Sequence, residues 1–368
     1  MSSKEADVSR SPCPVAIVLV NWNGRSDLLE CLESVLRLEN EDIRIVVCDN
    51  ASTDGSVNAL LEWAQGDVTV EPESPHFKAL LSSPVDRQEV PLIHIRPDMP
   101  MADYRPIRGK SVVLIETGGN LGFAGGNNVG MHYALQSTDA AYIWLLNTDT
   151  VVPSDALSQL LLRAKQDKGV GIVGSSLVYY WSPDRVQGMG GAHMDPRTVR
   201  MAHIGIGASV SELPADPGAV ERDLSYIIGA SMLVSRAFVE QIGPMCEDYF
   251  LYYEEADWAL RAKGRFSLAY APGSIVYHKV GGSSARKSSI GALRYLHRNR
   301  LKFVARFLPH RFGWTLAAMV LDMIRAIVKF DFKFAAMLAR AVLDSRALYR
   351  SGRDFAARPD WDRAQASR

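Results

Sequence analysis

Residues Val15-Ala16-Ile17-Val18-Leu19-Val20 form an unbroken apolar run rich in β-branched side chains. A run with no polar alternation reads as a strand covered on both faces, as in parallel sheets with helices above and below. Asn21-Trp22-Asn23-Gly24 punctuates it, and Asp27 to Leu38 then carries Leu28, Leu29, Leu32, Val35 and Leu36 at helical spacing. A second apolar run, Ile43 to Cys48, closes on Asp49-Asn50. Ser52-Thr53-Asp54-Gly55 is turn chemistry, and Ser56 to Trp63 reads as another helix. This β-α-β-α order predicts an α/β fold, a mostly parallel sheet flanked by helices, with right-handed crossovers. Ligands of such sheets bind at the carboxyl ends of the strands.

The rhythm lapses over residues 66–110, which hold Pro72, Pro75, Pro84, Pro91, Pro97, Pro100 and Pro106 and read as a long insertion or loop. It resumes with a strand at Ser111–Ile115, a helix at Asn127–Leu135, a strand at Ala141–Leu146 and a helix at Ser154–Lys165 with Ser154 as its N-cap. Further on, Gly171–Gly174 and Leu177–Tyr180 read as strands and residues 205–220 as a loop. Ala237–Ile242 and Glu254–Ala262 read as helices, and Ser274–His278 as extended. The expected division is a flexible N-terminus at 1–14, an α/β domain at 15–285 and a basic amphipathic helical region at 286–368.

The chain is 47% hydrophobic and 22% charged, as ordinary globular proteins are. Cys13, Cys31, Cys48 and Cys246 form no CxxC pair, so they read as reduced thiols, not as a disulfide framework or zinc site. The first ten residues are polar and no apolar core follows them, so no secretory signal is expected. The formal net charge is zero, yet fifteen Lys/Arg face three Asp between Arg286 and Arg353. That block calls for an anionic partner surface.

Four places carry chemistry. Asp49 closes a strand and is either the cap of a strand-to-helix turn or a carboxylate at the ligand crevice, bonding a base or ribose. Gly118 to Asn128 is a glycine-rich stretch that lacks both the GxGxxG and the GK[ST] spacing. It is either a tight turn feeding a helix or a loop whose Asn120 and Asn127 amides bond a nucleotide. Asn147-Thr148-Asp149 follows a buried strand and is either a solvent-facing turn before Pro153 or a metal position, where one carboxylate with diphosphate and water suits Mg²⁺. Glu254, Glu255 and Asp257 are three carboxylates within four residues, which drives at least one pKa toward neutrality and makes a general base. They also suit a helix N-terminus. His278 ends an extended segment before Gly281-Gly282-Ser283-Ser284, and is either structural or an imidazole ligand beside a closing loop.

In order along residues 15–285, VAIVLVNWNG, VVCDNASTDGS, GGNLGFAGGNN, LLNTDT, FLYYEEADWALRAKG and VYHKVGGSS resemble the motifs of family 2 glycosyltransferases with the GT-A fold. Within that family the motifs resemble those of the bacterial rhamnosyltransferase-like members. The resemblance implies that Asp49 reads the nucleotide base. Asn21, Asn23, Asn120, Gly122, Phe123, Asn127 and Asn147 would line the nucleotide-sugar pocket. Asp149 and His278 would bind Mg²⁺ or Mn²⁺. Glu255, then Glu254 or Asp257, would deprotonate an acceptor hydroxyl in a direct, inverting displacement. The donor would be a nucleotide-diphosphate sugar, dTDP-rhamnose among that class, and the acceptor a glycan or polyprenyl-linked sugar in cell-surface polysaccharide synthesis. The chain has Glu254-Glu255 where many members have Glu-Asp, and Asn-Thr-Asp where many have Asp-x-Asp.

Residues 312–330 are strongly apolar but are interrupted by Asp322 and Arg325, so no spanning helix is expected. Basic, aromatic-rich amphipathic helices over 290–350 suit the cytoplasmic face of a membrane, and equally suit a homodimer. No nucleic-acid recognition motif accompanies the basic block. Two competing functions are a sugar-phosphate nucleotidyltransferase, for which Asn21–Arg25 is a poor phosphate loop, and a membrane-associated scaffold with a degenerate site.

Overall fold

The computed structural model describes residues 14–40, 42–82, 90–104, 109–195, 197–280 and 290–354. The elements run β1 (Val15–Asn21), α1 (Arg25–Leu36), β2 (Ile43–Asp49), α2 (Ser56–Ala64), α3 (Lys78–Leu81), β3 (Leu92–Ile95), β4 (Ser111–Glu116), α4 (Gly122–Ser137), β5 (Tyr142–Asn147) and β6 (Thr150–Val151). They continue as α5 (Ala156–Gln166), β7 (Val170–Tyr179), β8 (Ser182–Met189), β9 (Gly191–Met194), β10 (Met201–His203), α6 (Gly218–Asp223), β11 (Tyr226–Ile227), β12 (Ser231–Ser235), α7 (Arg236–Ile242), α8 (Glu254–Ala262) and β13 (Ser267–His278). Four helices close the described chain: α9 (Ile290–Phe307), α10 (Phe312–Val328), α11 (Phe332–Leu343) and α12 (Ser345–Asp354).

The main sheet has the order β3-β4-β2-β1-β5-β12-β7-β13-β6, with β8 paired to β7. β3, β4, β2, β1 and β5 are mutually parallel, β12 runs antiparallel between β5 and β7, and β7 and β13 are parallel. The double burial read from the sequence is literal. Val15, Ile17 and Leu19 of β1 pack with α1, α2 and α5, while Ala16 and Val18 pack on the opposite face with α4, α7 and α8. A small sheet, β10-β9-β11, stands apart. The mostly parallel sheet, flanked by helices and followed by a helical region, is the architecture expected from the sequence.

Most of the glycine-rich stretch is helix, not loop. α4 begins at Gly122, five residues before the expected start. A Cβ at Gly126 would sit 2.5 Å from Val20 Cγ1, and one at Gly130 would sit 2.4 Å from Val18 Cγ1. Those glycines let α4 lie directly on β1, which a side chain would prevent. Gly122 itself has φ +71°, and its Cβ would meet the Phe250 carbonyl at 2.3 Å.

The 66–110 stretch contributes structure. Leu92–Ile95 forms the edge strand β3, parallel to β4. Phe77 is buried against Tyr180 and Tyr277, with ring centroids 4.4 and 4.8 Å away. β7 is one ten-residue strand where two short ones were expected. Ser154 does not cap α5; its hydroxyl donates to Glu39, and Asp155 holds the cap position. Cys31, Cys48 and Cys246 are buried thiols that form no disulfide with one another. Residues 1–13, and the Gly281–Ser284 segment expected to close over a donor, lie outside the described residues.

Candidate active site

The short ladder between β6 and β13 sets the position of His278, because it pairs His278 with Thr150, one residue after Asp149. The Lys279 amide donates to the Asp149 carbonyl at 2.9 Å and closes the arrangement. His278 Nε2 then lies 3.2 Å from Asp149 Oδ1. On its other side Nδ1 meets Gln187 Oε1 at 2.9 Å, so the ring donates there and turns the Nε2 lone pair toward Asp149. Two acceptors facing each other at that distance are satisfied by a proton or a cation between them. The described residues hold no cluster of three or more His, Cys, Asp or Glu fit for a metal. One oxygen and one nitrogen fit a divalent ion whose other ligands come from substrate and water.

Lys279 is buried and anchors the same strand end. Its Nζ pairs with Asp27 at 2.7 Å and Glu30 at 2.6 Å on α1, and with Glu73 at 3.4 Å. These carboxylates raise its pKa against the opposing effect of burial.

Glu254 and Glu255 open α8 behind an unusual turn, in which Phe250, Tyr252 and Tyr253 have φ of 65°, 70° and 78°. Asn299 of α9, fully buried, holds this turn by donating Nδ2 to the carbonyls of Tyr249, Leu251 and Tyr252 at 2.7, 2.8 and 3.1 Å. Glu255 is partly exposed, and its carboxylate lies against Gly229, where a Cβ would come within 2.5 Å of Oε1. Burial pushes Glu255 up to about 7, partly offset by the Gly229 backbone N–H. Glu254 is 1% exposed, and its Oε2 finds no partner among the described residues. Burial first, then the Glu255 charge, hold Glu254 well above the usual carboxylate range.

Asp257, expected with these acids, is not in the cavity. It is fully buried and paired to Arg261 at 2.7 Å and Arg306 at 2.6 Å, with Tyr249 Oη donating at 3.1 Å. Two guanidiniums and a phenol occupy its oxygens, so it joins α8 to α9 instead of serving as a base. That pair and the Asn299 bonds cross the boundary expected at residue 285.

Of the remaining expected site residues, Phe123, Asn147, Asp149, Glu254, Glu255 and His278 line one cavity of about 420 Å³. α9 contributes Ala292, Leu293 and Leu296 to its wall. The others sit at the ends of β1 and β2 and at the start of α4. Asp49 is buried and accepts from Asn21 Nδ2 and the Ser52 amide, both at 2.9 Å. Asn23 bridges to Ser52 and Thr53. Asn120 Oδ1 accepts from the Gly122 amide at 3.0 Å, at the start of α4. Asn127 Nδ2 donates back to the Phe123 carbonyl at 3.0 Å. Each of these polar groups holds a turn or a helix end in place.

A family model described as glycosyl transferase family 2 matches residues 16–77 and 100–211. The chain carries a family 2 glycosyltransferase domain. The acid pair and His278 lie beyond the matched residues. Over 155 residues, 40% of this chain and 45% of the relative, it is 29% identical to the low-salt glycan biosynthesis hexosyltransferase Agl10 of Haloferax volcanii. Over 279 residues, 72% of this chain and 41% of the relative, it is 25% identical to the galactofuranosyltransferase GlfT2 of Mycobacterium tuberculosis. The matches thus span less than half the length of these curated relatives. Among solved structures, the mannosyltransferase PcManGT from Pyrobaculum calidifontis, in complex with GDP-Man and Mn²⁺, superposes with a TM-score of 0.48 and 15% identity, over 92% of this chain and 88% of that one. S. aureus TarS 1–349 superposes at 0.44 and 10% identity, over 93% and 90%.

Three residues that shape the candidate site were not expected there from the sequence: Gln187, Gly229 and Asn299. Each is a single common residue whose partner lies far along the chain. Ile228-Gly229-Ala230 offered the only signal, a glycine inside an apolar run.

Proposed function

We propose that this domain is an inverting, metal-dependent glycosyltransferase that moves a sugar from a nucleotide-diphosphate donor to a hydroxyl of a glycan or lipid-linked acceptor. The observation that carries this reading is the placement of Glu255, the Asp149–His278 pair and Asn147 on one cavity. Glu255 takes the proton of the acceptor hydroxyl. The oxygen forms its bond to the anomeric carbon as the bond to the diphosphate breaks, so one displacement inverts that centre. Burial and the Glu255 charge raise Glu254 the further of the two, so Glu255 is the member of the pair that gives up its proton first and serves as the base. Mg²⁺ or Mn²⁺ held by Asp149 and His278 supplies Lewis-acid stabilisation of the leaving diphosphate. The hexosyltransferase and galactofuranosyltransferase names of the relatives support a hexose as the transferred group.

The protein works at the cytoplasmic surface of the membrane in this reading. No helix among the described residues is long and apolar enough to cross a membrane. α10 instead turns Trp314, Leu321, Ile324 and Val328 outward at helical spacing, continued by Phe330 and Phe332. Arg325, Lys329 and Lys333 flank this stripe, and basic residues near an anionic leaflet contribute about 1 kcal/mol each.

The test is binding of a nucleotide-sugar panel headed by dTDP-rhamnose, with and without Mn²⁺, to wild type and Asp149→Ala. Metal-dependent binding of one donor, lost in the variant, supports the reading. Equal binding without metal and in the variant removes the metal role. No binding of any donor would shift weight to a degenerate scaffold.

A further inference from the structure

A second cavity, of about 510 Å³, shares Met201, Tyr253 and Leu296 with the catalytic cavity as a common wall. Arg200, Arg300, Arg325 and Lys329 line it, against the carboxylates of Asp322 and Asp331. Both carboxylates are committed. Asp322 pairs with Arg200 and with Arg325 Nη1, and Asp331 accepts from the Phe334 amide at 3.1 Å to cap α11. Arg300 is 3% exposed, and its Nε and Nη2 both donate to the Thr198 carbonyl. Burial first, then the Arg300 charge, push His297 at the cavity wall down to about 4, so it adds no charge there near neutral pH. Four cationic side chains facing two carboxylates that are already committed call for an anion with several oxygens.

The orientation of α10 says which anion. It turns Asp322, Arg325, Ala326 and Lys329 toward this cavity and Trp314, Leu321, Ile324 and Val328 away from the protein. The cavity therefore adjoins the catalytic cavity on one side and the helix bearing the apolar stripe on the other. We propose that it binds the diphosphate of a lipid-linked acceptor, whose sugar hydroxyl reaches past Tyr253 to Glu255 while its lipid leaves along the apolar face of α10. This rests on the transferase reading, and deepens it by naming the acceptor class.

The probe is farnesyl diphosphate, titrated calorimetrically into the full-length chain with EDTA present, so that binding through metal at Asp149 does not contribute. Saturable binding is expected, weakened about tenfold or more in R325A/K329A, where both side chains are exposed and their loss leaves no buried group unpaired. Arg300→Ala is avoided, because it strips the partly buried Thr198 carbonyl of its donor. Unchanged affinity in the double variant, or farnesol binding as tightly as its diphosphate, would overturn the anion site. Inorganic pyrophosphate binding as tightly as farnesyl diphosphate would overturn the lipid assignment. A parallel titration of nucleotide sugar with Mn²⁺ reads the other site. If that fails while farnesyl diphosphate binds in the Arg325- and Lys329-dependent way, the anion site stands and the donor reading falls.

Discussion

Asn299→Asp tests how the catalytic turn is held, because it changes one side chain without changing its shape. In the native protein the amide nitrogen faces three carbonyl oxygens, of Tyr249, Leu251 and Tyr252. The amide has two N–H groups to share among the three oxygens, and at about 1 kcal/mol net per hydrogen bond the clamp supplies about 2 kcal/mol. They act against the left-handed backbone at Phe250, Tyr252 and Tyr253, which costs roughly 1–2 kcal/mol per residue. The clamp offsets part of that cost, so losing it lets the turn relax and carries Glu254 and Glu255 with it. Asn299→Ala should lower stability by about 2–4 kcal/mol. Asn299→Asp should cost more, since it points a carboxylate at three carbonyl oxygens in a buried site. A displacement of about 1 Å at the base costs on the order of a hundredfold in rate, so kcat should fall while donor affinity holds. Thermal melts and steady-state kinetics of both variants check this. An Asn299→Asp protein that melts and turns over like wild type would refute the clamp.

The remaining predictions concern the two halves of the cavity. Gln187→Leu removes the acceptor that fixes the His278 ring, and should weaken Mn²⁺ binding about 10–100-fold; unchanged affinity would show that the ring is held some other way. Transfer should rise with pH along a limb near 7, because Glu255 must be deprotonated to act. Stability should move oppositely. A carboxyl raised in the folded state binds its proton more tightly than in the unfolded chain, so its stabilising contribution is present in acid and lost as pH rises toward 7. Melting temperature measured from pH 5 to 8 should fall less in Glu255→Gln than in wild type, and parallel slopes would contradict the assignment.

The front half of the fold was legible because double-faced burial leaves an unmistakable record. Val15–Val20 and Ile43–Cys48 could only be inner strands, and the helix spacing between them dictated parallel crossovers. α4 began earlier than expected because glycine signals a turn locally, whereas here it records how near α4 lies to Val18 and Val20. β8 was missed because Ser182-Pro183-Asp184-Arg185 lies at its outer end and only the following residues are buried. The site followed the same division. Asp149, Glu255 and His278 close or open recognisable elements and reach the cavity. Asp257 resembled them in sequence, but Arg306, 49 residues away, claims its carboxylate. Gln187 and Asn299 bond across 91 and about 50 residues, beyond any local pattern. The C-terminal helices read as a separate basic region, yet α9 supplies the clamp on the catalytic turn.

The most direct measurement is sugar transfer by Glu255→Gln beside Glu254→Gln, with donor binding measured in both. Removing a general base costs about 10²–10⁴-fold in rate. Glu255→Gln should lose kcat on that scale and still bind donor. Glu254→Gln, which replaces an already protonated group, should retain most of its activity. A Glu255→Gln enzyme that transfers at the wild-type rate, or a dead Glu254→Gln beside an active Glu255→Gln, would contradict the assignment of the base.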